Sequence, residues 1–274
     1  MIRGWSNNIN RMSPELNIAR KAATAAATVL NQISQRDALL NVEKKKENDF
    51  VSRADKNSEA AIIYTLQTAY PDDAIVAEES GRIGPENAER VWIVDPLDGT
   101  NNFLHDIPHY AISIALMEKD VLTHALIYDP VRDEFFTASK GRGAYLDEHR
   151  IRVNRNSSLD GAIIATGFPF RDRDNFSRYM VQFKSIFKQA GDIRRAGSAA
   201  LDLAYVAAGR VDGFWESGLE IWDIAAGALI IEEAGGQCLD FSAGKKYLKS
   251  GNIIAGNLKV SAAIAAKIKQ TEPA

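Results

Sequence analysis

Val91-Trp92-Ile93-Val94-Asp95-Pro96-Leu97-Asp98-Gly99-Thr100 decides how this chain is read: four apolar residues run into two carboxylates that flank a proline and abut a glycine. The apolar run predicts a buried strand. A residue before proline is biased to extended backbone, so Asp95 continues the strand, and Gly99 permits a sharp reversal into the next element. Both carboxylates can then aim at one spot. At about 4 Å and an effective dielectric near 20, two anions repel by roughly 4 kcal/mol, which invites a divalent cation between them. Taken alone, such a pair is more commonly an ordinary strand-to-loop turn with solvated acids. Acids elsewhere in the chain must decide between the two.

The frame is that of an ordinary globular protein. With 274 residues, 46% hydrophobic and 25% charged, the chain can build one large core or two intimately packed halves. A net charge of -3 argues against a dedicated nucleic-acid binder, and Lys44-Lys45-Lys46 is the one compact basic run. The single Cys238 excludes an internal disulfide framework, fits a reducing cytosol and reads as a small buried apolar residue. No stretch approaches the roughly 18 uncharged apolar residues of a membrane span, and the N-terminus lacks a signal-peptide apolar region. A cytoplasmic location is expected. His105, His109, His124 and His149 are scattered without zinc-like spacing. Residues 1–11 are polar and precede a stronger start signal at Met12-Ser13-Pro14-Glu15, so they read as a loose extension or as the product of an upstream start codon.

Ser13 as N-cap and Pro14 at the first helical position open a long helix with Leu16, Ala19, Ala23, Ala26, Leu30 and Ile33 on one face. A second helix follows Asp55, with Ala61, Ile62, Thr65, Leu66 and Ala69 inward, and ends at Pro71. Short strands are expected at 74–77, 91–94, 111–118, 122–129, 134–139 and 144–146, which is an antiparallel, hairpin-rich sheet. From Ile163 strands and helices alternate: helices near 178–189, 198–208, 222–234 and from 259, strands at 163–166, 193, 213–215, 237–240 and 253–255. The polar join near 154–160 is short. Residues 12–155 thus form an α+β half and residues 156–270 an α/β half, sharing a cleft in one unit.

More acids sit at element ends. Glu78-Glu79 follows the strand Ala74-Ile75-Val76-Ala77, just as Asp95 follows Val94. Asp223 opens a helix after Trp222, and Asp55 precedes one; each is a metal or catalytic candidate and equally a plain helix cap.

In this order, Asp55, Glu78-Glu79, Asp95-Pro96-Leu97-Asp98-Gly99-Thr100 and Trp222-Asp223 resemble the whole signature of the inositol monophosphatase family, within a bacterial branch of it. The likeness extends through Phe50-Val51-Ser52-Arg53-Ala54-Asp55, Gly197-Ser198-Ala199-Ala200-Leu201-Asp202 and Glu232-Glu233-Ala234-Gly235-Gly236, over about residues 12 to 268. It implies a layered αβαβα sandwich with two or three magnesium ions in the cleft between its halves. Glu78, Asp95 and the carbonyl of Leu97 would hold the first ion, and Asp95, Asp98 and Asp223 the second, with a weaker third near Glu78. Those acids and the nearly 2 negative charges of a phosphate monoester call for that much cation.

Catalysis is implied at Thr100 and Glu78, which orient and deprotonate a water, and at Asp55, which hydrogen-bonds the threonine. Substrate contacts are implied at Asp98, Gly99, Thr100, Gly197, Ser198, Ala199, Glu216 and Asp223. Arg194 matches a basic contact position, whereas Arg195 fits a surface or interface group equally well, and Lys44 approaches the third ion or the phosphate. Two departures from the family pattern stand out: Asn101 replaces a second threonine, and Glu220-Ile221 places an acid near the mouth of the site.

The activity implied is a magnesium-dependent, lithium-sensitive hydrolysis of small phosphomonoesters, with myo-inositol 1-phosphate foremost. Histidinol phosphate, fructose 1,6-bisphosphate, nucleotides and NADP phosphate are the sister substrates. The branch also implies a different class of role, contact with RNA polymerase and other proteins or RNA in ribosomal-RNA transcription antitermination, and a homodimer.

Overall fold

The computed structural model describes residues 12–33, 43–46, 49–51, 53–169 and 173–271, and of 43–46 and 49–51 only the backbone. Residues 1–11 and the Lys44 side chain lie outside that description. The first helix, Pro14–Gln32, begins as its sequence dictates: the Ser13 hydroxyl accepts from the Leu16 amide at 3.2 Å, and Pro14 fills the first turn. Its alanine stripe packs against a second helix, Arg53–Ala69, and both lie on one face of an eight-stranded sheet. Leu16, Ala26, Leu30, Ile62 and Leu66 meet Trp92, Val94, Ile112 and Leu126 there. Two expectations change. Ala69 is exposed at the helix end, and the second helix starts before Asp55, which sits inside its first turn, where a carboxylate complements the helix dipole.

The eight strands run in the order His149–Arg150, Gly143–Leu146, Glu134–Ser139, Val121–Asp129, Ala111–Glu118, Arg90–Asp98, Ala74–Ala77, Gly81–Ile83. The sheet is antiparallel apart from one pair, and that pair makes the site. Ala74–Ala77 runs parallel to Arg90–Asp98 with Ala77 opposite Val94, so the next residues, Glu78 at the end of one strand and Asp95 on the other, stand side by side. The strand continues through Pro96 to Asp98, with a register shift between Asp95 and Asp98. Proline has no amide to give the ladder, and the bulge it occupies lets both acids stay on the strand. The reversal therefore follows Asp98 and does not fall between the acids.

A second sheet of five strands, in the order Asp192–Arg194, Ile163–Thr166, Gly213–Glu216, Ile253–Gly256, Gln237–Leu239, is parallel across its first three strands. Between the sheets lie the helices Ala199–Ala207 and Ile221–Glu233, whose close crossing depends on Gly227, because a Cβ there would press into Leu203. Strand alternation sorts neighbours onto opposite faces. Ala165, Phe214 and Ala255 face the inner helices with Ile93, Ile127 and Phe136 of the large sheet. Ile164, Trp215 and Ile254 face the outer helices Phe176–Phe187 and Leu258–Lys269. The result is the five-layered αβαβα sandwich that the family resemblance implied. Cys238 is buried in the inner core, and burial pushes its thiol up, as suits an inert apolar residue. Among the described residues, no helix is long and apolar enough to cross a membrane.

Candidate active site

Element ends from both sheets meet at one cleft, lined among others by Glu78, Asp95, Leu97, Asp98, Thr100 and Asp223. Asp95, Asp98 and Asp223 each bring a carboxylate oxygen to within 4.8 Å of the other two. The chain aims all three. Asp95 Oδ1 accepts from the Leu97 amide at 2.9 Å, Asp98 Oδ2 from the Ser198 hydroxyl at 2.5 Å and the Ala200 amide at 2.7 Å, and Asp223 Oδ2 from the Glu220 amide at 2.7 Å. Asp223 thus caps its helix and joins the cluster, so the two readings of it were not alternatives. Burial, and then the charges of Glu78, Asp98 and Asp223, push the Asp95 carboxyl well above the usual range. An all-oxygen set of acids in mutual repulsion, two buried and Asp98 half-buried, is the donor chemistry a hard divalent cation requires.

Thr100 stands beside that cluster. Its hydroxyl donates to Asp55 Oδ1 at 2.9 Å and lies 3.1 Å from the Leu97 carbonyl. Asp55 is fully buried, and its contact is the shorter of the two, so it sets the direction of the Thr100 proton. Gly99 adopts a left-handed φ of 95° and starts the short helix Thr100–Leu104; a Cβ there would come within 3.1 Å of the His109 carbonyl. The Gly99 and Thr100 amides consequently stand at a helix start next to the acids.

Sequence reasoning missed Glu59. This buried acid on the Arg53–Ala69 helix accepts from the Glu79 amide at 2.7 Å and from the Ser80 hydroxyl at 2.5 Å, which fixes the turn carrying Glu78. Its signal was an acid on the inward stripe, one turn beyond Asp55 and just ahead of Ile62.

Gly197, Ser198, Ala199 and Glu216 also line the cleft, and Gly167 is bare where a Cβ would overlap the Glu216 carboxylate. Asn101 lies exposed at the rim, while its neighbour Asn102 ties the regions together, donating to the His109 carbonyl at 2.7 Å and the Ala196 carbonyl at 2.9 Å. Glu220 is exposed and lends its amide to Asp223. Arg194 is not brought to the site. It pairs with Asp192 at 2.5 Å, two residues back on the same strand face, and is half exposed. Alternation sends Arg195 the other way, into the cleft lining and over the Phe168 ring at 5.2 Å. Asp202 joins the lining as well, as a buried acid that had no role in the sequence reading.

With this geometry in view, likeness to known proteins is informative. The model of the inositol monophosphatase family matches residues 11–272. A Nus factor SuhB of Pseudomonas aeruginosa is 48% identical over 266 residues, 96% of this chain and 98% of that protein. The Nus factor SuhB of Escherichia coli K12 is 46% identical, covering 94% and 97%. Among solved structures, the extragenic suppressor protein suhB from Bartonella henselae superposes with a TM-score of 0.89 at 41% identity, covering 94% of this chain and 99% of that one. The inositol monophosphatase from Anabaena gives 0.83 at 35%, covering 94% and 96%. A family match over nearly the whole chain agrees with the five layers and the acid cluster: this chain belongs to the inositol monophosphatase family.

Proposed function

We propose that this chain is a magnesium-dependent phosphatase of small phosphomonoesters, with myo-inositol 1-phosphate as its leading substrate. The observation that carries this reading is the 2.9 Å hydrogen bond from Thr100 to buried Asp55 beside the cluster of Asp95, Asp98 and Asp223. Glu78, Asp95 and the Leu97 carbonyl would hold one ion and Asp95, Asp98 and Asp223 another, with a third, weaker one near Glu78. Bound there, magnesium would supply Lewis acidity, lowering the pKa of water and offsetting phosphate charge.

The chain's own groups do the positioning. Because Thr100 spends its single proton on Asp55, its oxygen is left as an acceptor towards the cleft and orients an attacking water. Glu78, at the strand end beside Asp95, takes the proton that water sheds. As the water oxygen bonds to phosphorus, the ester oxygen leaves and takes a proton from a water held near Asp223. The Gly99 and Thr100 amides receive the phosphate oxygens. The scheme forms no bond between phosphate and a side chain. Lithium sensitivity and a homodimer belong to the same proposal.

Phosphate release tests it. With magnesium, myo-inositol 1-phosphate is expected to turn over faster than histidinol phosphate, fructose 1,6-bisphosphate, nucleotides or NADP phosphate, and lithium to inhibit. Failure to hydrolyse any monoester overturns the reading.

The 46% and 48% identity to proteins named Nus factor SuhB supports a second reading, a role in ribosomal-RNA transcription antitermination in contact with the transcription machinery. Asp95→Asn separates the two. A variant without phosphatase activity that still restores antitermination in cells lacking the gene supports a separate role, and loss of both functions speaks against it.

A further inference from the structure

We propose that Asp202 determines substrate specificity: together with Glu216 it accepts hydrogen bonds from adjacent hydroxyls of the alcohol, so that the cleft selects polyhydroxylated phosphomonoesters. This deepens the phosphatase reading and rests on it.

Among the described residues, the buried acids are, with two exceptions, satisfied by the protein itself. Asp73 accepts from Arg90 and Trp92, Asp129 from the Val131 and Arg132 amides, Asp212 from Asn156 and the Ile163 amide, and Asp240 from three amides of its own loop. Asp202 and Glu216 are 4% and 6% exposed, and among the described residues no hydrogen bond or ion pair reaches either carboxylate. Both line the cleft. Neither has an oxygen among the wholly buried unpartnered atoms, so both carboxylates open on the cleft, where acceptors left without a protein donor are placed to meet a ligand.

Their placement indicates which part of a ligand they meet. Asp202 stands one helical turn after Ser198, on the face whose Ser198 hydroxyl is bonded to Asp98. Glu216 ends its parallel-sheet strand, at the carboxyl edge where open α/β sheets bind ligands. With the phosphate drawn to Gly99 and Thr100, these two acids face the alcohol. They can only accept while ionised, so the alcohol must donate. Arg195 lines the same cleft, but neighbouring acids, Asp98 at Asp202 and Asp202 foremost at Glu216, act on both carboxylates more strongly than its charge does, so phosphoethanolamine enters the test as the ammonium-bearing competitor. An acid in the first turn of a helix also complements the helix dipole, but that role affects stability and is blind to the substrate.

The test compares kcat and KM of wild type, Asp202→Ala and the nearly isosteric Asp202→Asn on three substrates: myo-inositol 1-phosphate, phosphoethanolamine and phenyl phosphate. The inference expects kcat/KM for myo-inositol 1-phosphate to fall about tenfold to a hundredfold relative to that for phenyl phosphate in Asp202→Ala, and less in Asp202→Asn, with the loss carried by KM. Equal losses on all three substrates, or a loss confined to phosphoethanolamine, overturn it. Unchanged kinetics overturn it too, and leave the phosphatase reading standing. If wild type hydrolyses none of the three and no other monoester, the phosphatase reading fails. Calorimetric titration of myo-inositol 1-phosphate into magnesium-loaded wild type and Asp202→Asn then decides the inference: weaker binding to the variant supports it and equal binding overturns it.

Discussion

The two ends of the cleft are built on opposite principles. At the end proposed to hold metal, Asp95, Asp98 and Asp223 each accept a hydrogen bond from the protein, so their direction is set before anything binds. At the end proposed to hold the alcohol, Asp202 and Glu216 are buried more deeply than Asp98 and receive no donor from the described residues. The difference teaches how one cleft divides its labour: chemistry common to all phosphomonoesters calls for fixed ligands, whereas recognition of one alcohol calls for acceptors the ligand must complete.

The sharpest way to break this contrast is at its centre. Asp95→Asn removes the acid common to both proposed ions, and magnesium-dependent phosphate release is expected to fall by about 1,000-fold on every substrate. A loss confined to polyol substrates would erase the distinction between the ends. Next in size is Thr100→Val, which keeps the side-chain shape and deletes the hydroxyl bonded to Asp55. Steady-state kinetics are expected to show kcat down by roughly 100-fold with KM little changed.

Glu59→Gln probes a residue that touches neither substrate nor the cluster. It carries the turn of Glu78 on two hydrogen bonds, and the amide that replaces one carboxylate oxygen cannot accept in its place. Half-saturation by magnesium, followed by calorimetry, is expected to weaken about tenfold, with polyol selectivity intact.

The smallest effect separates the ends by pH. Burial first, and neighbouring acids second, raise the carboxyls of Asp95, Asp202 and Glu216. An acid whose pKa is higher folded than unfolded stabilises the fold while protonated, and that contribution is lost as pH climbs through the raised value. Metal-free protein is therefore expected to melt at a temperature lower by roughly 3 °C at about pH 8 than at about pH 5. Magnesium removes the share due to Asp95 and leaves that of Asp202 and Glu216. Thermal melts across pH, with and without the ion, measure both.

Much of the scaffold was legible because its signals are local. Ser13-Pro14 opens a helix wherever the chain lies, and the strands 74–77, 111–118 and 134–139 carry their own β-branched and apolar patterns. Local signals drew attention to Asp95, Asp98 and Asp223 without separating a metal site from an ordinary turn or cap, and it was the family resemblance that joined them into one proposed ligand set. What escaped depends on which way a side chain turns. Arg194 and Arg195 differ by one position on a strand, and the Asp192 pairing that holds Arg194 outside is a tertiary outcome. The bulge at Pro96 moved the reversal beyond Asp98, because the register with Ala111–Glu118 decides where the ladder breaks. Glu59 and Asp202 look like solvated helix acids in a sequence, and only burial against another element distinguishes them.

The most direct measurement is a crystal grown with manganese and inorganic phosphate, examined by anomalous scattering. The account predicts two peaks that share Asp95 as a ligand, one bounded by Glu78 and the Leu97 carbonyl and the other by Asp98 and Asp223, with phosphate on the Gly99 and Thr100 amides. No peak within reach of Asp95, or a lone peak held by other side chains, would contradict it.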